Sequence, residues 1–174
     1  LDAIAAVHPL ATRVSFRASQ SKFIIQRQTW RFSMRTSARN MLQCTVSEVK
    51  RGVVSSEVIL DVTDSIQLVA IITAESVNAL ALQPGVAVYA LIKSSFVLLA
   101  PGEGLERSSA RNVLRGTVAK RTDGPVNAEI VIDLSPGVSI AAIVTRESAA
   151  SLDLKIGDPA CAIVKASHVI LARD

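Results

Sequence analysis

A chain of 174 residues has room for one or two small domains. Hydrophobic residues make up 49% of it but aromatics only 3%, so the core must be built from Val, Ile, Leu and Ala. The net charge of +4 belongs to the first 36 residues, where Arg13, Arg17, Lys22, Arg27, Arg31 and Arg35 stand against Asp2 alone. The remainder holds 13 basic and 14 acidic residues, which argues against a polyanion-binding body.

Residues 1–34 have weak periodicity. Phe23-Ile24-Ile25 and Trp30-Arg31-Phe32 could dock as a short strand or helix, and the segment reads as a weakly ordered, solvated arm or linker. No apolar run reaches the length of a bilayer span. No basic start precedes an apolar stretch, so no secretory leader is expected. The chain opens at Leu1 and not Met, as a fragment or processed form would.

From Ser37 the chain says one thing twice. Ser37-Ala38-Arg39-Asn40 returns as Ser109-Ala110-Arg111-Asn112, 72 positions on, and the same offset carries Thr73, Glu75, Ser76 and Lys93 onto Thr145, Glu147, Ser148 and Lys165. About 25 of the 66 positions aligned between 37–102 and 109–174 are identical without a gap, which marks an internal duplication. Units this small are marginal alone and are expected to pack on each other or on further chains.

Each unit predicts five short strands and one helix. Leu42, Cys44 and Val46 alternate with polar residues as in a half-buried strand, and Gly52 and Gly124 sit at matching turns. Glu57–Val62 and Ile66–Ile72, with Glu129–Leu134 and Val138–Val144, are rich in β-branched residues. Thr73 and Thr145 stand where a helix N-cap is wanted, with Glu75 and Glu147 in the first turn. Val86–Lys93 and Val97–Ala100, repeated as Asp158–Lys165 and Val169–Ala172, complete the set. The expected fold is mainly β: two tandem OB-like five-stranded barrels, each with one short helix.

The repeated polar residues suggest a ligand. A helix start offers unpaired backbone N–H groups, Thr73 and Ser76 add hydroxyls, and Arg39 and Lys93 bring two full positive charges. The set suits a small doubly charged oxyanion such as molybdate, sulfate or phosphate. Taken singly, Thr73 is explained as a cap, Ser76 as a first-turn residue and Lys93 as a solvated strand end. The Ser-Ala-Arg-Asn tetrapeptide has no such ordinary explanation.

At these residues the chain resembles the molybdate-binding Mop (molbindin-like, TOBE-related) domains in their tandem di-Mop arrangement. Met34-Arg35-Thr36-Ser37-Ala38-Arg39-Asn40 is similar to the signature at which these domains start. Its lead-in from Trp30 resembles the join between linker and ligand-binding part of ModE-type molybdate-responsive regulators. The resemblance implies an arm at 1–34, a first Mop unit at 35–102, a linker at 103–108 and a second unit at 109–174. It also implies that molybdate or tungstate is bound without chemistry, between neighbouring units of a homo-oligomer, a dimer or trimer of di-Mop chains. The residues carried over are Ser37, Ala38, Arg39, Asn40, Thr73, Ser76 and Lys93, repeated as Ser109, Ala110, Arg111, Asn112, Thr145, Ser148 and Lys165. Ser37 and Arg39 would come from one unit, and Thr73, Ser76 and Lys93 from a unit across the interface.

Residues 1–34 are too short for the winged helix-turn-helix of a ModE-type regulator, and both repeats keep the full signature. A cytoplasmic storage or homeostasis protein is therefore expected, with a ligand-sensing fragment of a ModE-type regulator as the alternative. An OB module for nucleic acid would need a basic, aromatic groove that the repeats lack. Nothing resembles a nucleophile elbow, a paired-carboxylate site or a phosphate loop, so no enzyme is expected. The repeated Glu57 and Glu129, with Asp61 and Asp133, read as strand-end or turn residues. Cys44 and Cys161 are not repeated and are expected to be buried thiols of a reducing compartment. With His8 and His168 they have no metal-ligand spacing, so no metal ion beyond an oxyanion's molybdenum is expected.

Overall fold

Alternation places the first strand. Leu42, Cys44 and Val46 are buried while Met41, Gln43 and Thr45 between them face outward, the period-two pattern of a sheet with one covered face. They lie in β1 (Asn40–Lys50). The computed structural model describes residues 36–102 and 108–173. The arm expected over 1–34 lies outside the described residues.

The first repeat continues as β2 (Ser55–Thr63), β3 (Ile66–Thr73), α1 (Ala74–Ala79), β4 (Ala87–Ile92), a 3-10 turn at Ser94–Phe96 and β5 (Val97–Pro101). The second runs β6 (Asn112–Asp123), β7 (Asn127–Ser135), β8 (Val138–Thr145), α2 (Arg146–Leu152), β9 (Pro159–Val164), a 3-10 turn at Ala166–His168 and β10 (Ile170–Ala172). Five strands and one short helix per repeat is the composition the sequence predicts. Thr73 and Thr145 cap the two helices, each side chain accepting from the backbone N–H three residues on, at 3.1 Å.

The glycine common to the two β1–β2-type turns is required by close approach. A Cβ on Gly52 would stand 2.3 Å from the Ser55 carbonyl oxygen, and one on Gly124 would stand 2.8 Å from that of Asn127. Both are shorter than any tolerable contact, so the turns close tightly only without a side chain.

The sheets do not follow the repeat boundaries. One has the order β10-β4-β1-β2-β3 and the other β5-β9-β6-β7-β8, all neighbours antiparallel. The last strand of each repeat thus leaves its own unit and completes the other. β5 pairs with β9 from Val97↔Val164 to Pro101↔Ala160, and β10 pairs with β4 from Ile170↔Leu91 to Ala172↔Tyr89. Val97 and Val169 are each 1% exposed, so the crossing segments are driven home by burial as well as by ladder bonds. The arrival of β10 also finishes a helix. The Arg173 guanidinium donates to the Leu80 carbonyl at 3.0 Å, satisfying an acceptor left over at the end of α1.

The main core runs from Leu42 and Leu60 of the first half to Ile132 and Leu171 of the second, with a smaller cluster at Ala100, Cys161 and Ile163, and the described residues belong to one compact unit. Cys44 and Cys161 are buried. Burial pushes the Cys44 thiol up to about 12, so it is a neutral packing residue.

Because each half lacks a strand that the other supplies, a fragment of residues 36–102 should not persist as a monomer. It is expected to pair with a second copy, each giving its β5 to the other, and to show twice the monomer mass by sedimentation. A stable monomeric fragment at micromolar concentration would contradict the exchange. Gly52→Ala should lower stability by about 1–3 kcal/mol, read from urea unfolding of the intact chain, because the hairpin must open to accept the methyl.

Candidate functional site

The two Ser-Ala-Arg-Asn segments stand at the starts of β1 and β6, and their asparagines serve the fold. Asn40 is 3% exposed and Asn112 1%. The Asn40 amide accepts from the Ala141 N–H at 2.7 Å and donates to the Ala141 carbonyl at 2.9 Å. Asn112 does the same to Val69, at 2.7 and 2.9 Å. Val69 and Ala141 are repeat equivalents on β3 and β8, the outer strands of the two sheets. Each asparagine therefore closes one step of the opposite half's open edge, imitating a backbone unit.

One residue earlier, the arginines cross the same boundary. Arg39 Nη1 lies 2.6 Å from Glu129 Oε2. Arg111 holds Glu57 through both arms of its fork, Nη1 to Oε2 at 2.6 Å and Nη2 to Oε1 at 3.1 Å. Burial alone would push the Glu57 carboxyl up. The hydrogen bonds and charges of Arg111 and Lys50 outweigh it and hold the group below the usual carboxylate range. The expectation that Glu57 and Glu129 are turn or strand-end residues is corrected here. Both sit within strands β2 and β7 and anchor an arginine of the other half, and their return at the 72-residue offset was the signal for it. Asp61 does sit near a strand end, accepting from Gln67 Nε2 at 2.8 Å.

The ladder register groups the rest. Asn40 pairs with Ile92 and Asn112 with Val164, so Lys93 and Lys165 emerge beside Arg39 and Arg111 of their own halves. Glu129 pairs with Ile143 and Glu57 with Ile71, two residues or about 7 Å along the strand from Thr145 and Thr73. Within one chain, Arg39 thus reaches a glutamate two residues along the ladder from the level of Thr145, and Arg111 one two residues from the level of Thr73. A cleft lined by Thr73, Ser76, Leu80, Ser167 and Ile170 mixes residues of both halves, and a second joins Ser148 and Ser151 to Leu98 and Ala100.

Two amides at each helix start are already engaged, and the capping hydroxyls lie beside them. Thr73 and Ser76 hydroxyls lie 2.8 Å apart and those of Thr145 and Ser148 2.9 Å apart, with Ser76 half-buried and the other three exposed. The Ser76 and Ser148 N–H groups are taken by the caps, and those of Ala74 and Arg146 by the Val54 and Val126 carbonyls at 3.0 Å. With helices of 6 and 7 residues, the site's positive potential comes from its arginines and lysines. Lys93 Nζ lies 5.5 Å from the centre of the Phe96 ring, and Phe96 meets its repeat equivalent His168 at a ring separation of 4.5 Å. Among the described residues no group of three or more His, Cys, Asp or Glu is placed to hold a metal ion, and no helix is long and apolar enough to cross a membrane.

The chain matches the TOBE domain over residues 36–99 and again over 108–171. It is 54% identical over 143 residues to the molybdenum-pterin-binding protein MopA of Rhodobacter capsulatus, covering 82% of this chain and 54% of that protein. It is 40% identical over 147 residues to the molybdenum transport protein ModE of Azotobacter vinelandii, covering 84% and 54%. The chain spans about half the length of these curated relatives. Its fold superposes with a TM-score of 0.77 on the cytoplasmic molybdate-binding protein ModG, solved with molybdate bound, at 42% identity over 81% of this chain and all of that one. The duplicated sequence, the two five-stranded sheets and these matches agree: the chain belongs to the TOBE-domain family and carries two copies of that domain in tandem.

Proposed function

We propose that this chain binds molybdate or tungstate as an intact oxyanion, without chemistry, to store it and buffer its level in the cytoplasm. The observation that carries this reading is the duplicated donor set. Each repeated arginine bonds a glutamate of the other half, two residues along the ladder from the level of that half's capping threonine, twice over. Two cations match the charge of a molybdate dianion, and charged donors are the strong ones for an oxyanion. The likeness to ModG, solved with molybdate bound, supports the same ligand.

Ser37, Arg39, Lys93, Thr145 and Ser148 are the contacts of one set, and Ser109, Arg111, Lys165, Thr73 and Ser76 those of the other. Ala38 and Ala110 contribute through backbone between the two ligating side chains. The amides of Asn40 and Asn112 are engaged with the opposite strand edge, and we assign them the task of holding the arginines' backbone in place. The sets are completed in a homo-oligomer, a dimer or trimer. Leu98 and Ile170, repeat equivalents each 64% exposed on the exchanged edge strands, supply apolar surface for that contact. A second reading, the ligand-sensing part of a ModE-type regulator, is favoured by the chain's coverage of only about half of its longer relatives.

Calorimetric titration with molybdate, tungstate and sulfate tests the proposal. Saturable heat with molybdate and tungstate is expected at micromolar protein, and its absence would sink the reading. An Arg39→Ala, Arg111→Ala double variant should weaken molybdate binding at least about tenfold, since a hydrogen bond to a charged group is worth about 1.5–3 kcal/mol. Asn112→Ala acts differently: it leaves the Val69 N–H and carbonyl unpaired and should lower unfolding free energy by about 1–3 kcal/mol, measured without ligand.

A further inference from the structure

We propose that Glu57 and Glu129 are positioning residues for oxyanion binding, each holding the guanidinium of the other half's arginine so that its remaining donors face the threonine–serine pair. The inference rests on reading Arg39 and Arg111 as oxyanion ligands.

The geometry has four parts. First, the pairing is reciprocal: Arg39 to Glu129 and Arg111 to Glu57, with the partners at the same 72-residue offset. Second, the carboxylates are the fixed members. Their side chains are 23% and 17% exposed, against 57% and 50% for the arginines. A packed strand residue thus holds a long, open side chain. Third, the grip is partial. A guanidinium has five N–H donors, and the Arg111 contact takes one each from Nη1 and Nη2. Three are left, including Nε–H, so the side chain can hold a carboxylate on one edge and a second oxyanion on another. Fourth, the anchor is close to the hydroxyls, since Glu57 and Glu129 stand two residues along the ladder from the level of Thr73 and Thr145.

An unanchored arginine would lose its rotamer freedom when the anion arrives. Here that ordering is done in advance by the fold, which is how preorganisation raises affinity. The carboxylate also repels a dianion, but an anion held on another edge of the same guanidinium would have that positive charge between itself and the carboxylate. The halves differ in what surrounds the carboxylate. Lys50 Nζ joins Glu57 at 3.2 Å, whereas position 122, its repeat equivalent, is Thr. Glu129 is therefore the cleaner residue to alter.

The test is calorimetric titration of the full chain with sodium molybdate, with thermal melting of the ligand-free protein alongside. Glu129→Gln should raise the dissociation constant of the sites built on Arg39 about tenfold and leave those built on Arg111 unchanged, so the titration becomes biphasic. Glu57→Gln should affect the opposite class, and Glu129→Asp, which keeps the charge on a shorter arm, should recover part of the loss. Unchanged or tighter binding in both Gln variants would overturn the proposal, because the carboxylate would then be a bystander or a competitor of the anion. Equal weakening of every site by one variant would also overturn it, because that is what general loosening of the fold does. Arg39→Ala distinguishes the two layers: full-strength molybdate binding by that variant would instead overturn the assignment of the arginine as a ligand.

Discussion

Everything in this molecule depends on the exchange of the last strand between its halves. β5 and β10 complete sheets to which their own repeats do not belong, so neither half has a full ladder or a closed core without the other. Open sheet edges are a hazard and small cores are weak, and one topological step answers both. It turns two marginal units of similar sequence into one cooperative body whose core runs without a break across the repeat boundary.

The exchange also explains why polar residues at the repeat starts are so exacting. The segment Ser37–Asn40 enters its own sheet while lying along the outer strand of the other. Asn40 spends its amide on the Ala141 backbone, and Arg39 reaches a carboxylate on the next strand inward. Both bonds join halves, and both come from a tetrapeptide that strand formation alone does not demand. A donor set assembled this way is as rigid as the boundary itself. That is a useful property for recognising a small anion, whose few contacts must be in place before it arrives.

Much of the fold was legible because the repeat let one copy check the other. The alternation of Leu42, Cys44 and Val46, the capping threonines and the turn glycines each have local causes, and each lies where local reasoning puts it. The repeat also singled out the arginine, lysine and hydroxyl side chains kept at both copies. Less legible were Glu57 and Glu129. A carboxylate in a β-branched run looks like an ordinary solvent-facing strand residue, and its partner is 54 residues or more away in the chain. The part played by Asn40 and Asn112 was hidden likewise, because an amide that copies a backbone unit is recognised only when the opposite strand is in view.

The sequence by itself determined the duplication, the strand and helix pattern, the neutral body and the repeated set of arginine, lysine and hydroxyl side chains, because these follow from short-range periodicity and side-chain chemistry. Only the tertiary structure decided which half each last strand completes, which lysine stands beside which arginine, and that each arginine is held by a glutamate of the other half. Those are choices between equivalent partners. Two copies of similar sequence offer β5 the same kind of ladder at home or across the boundary, and composition cannot distinguish them. The direction of the connecting backbone and the packing of Val97 and Val169 into the shared core can.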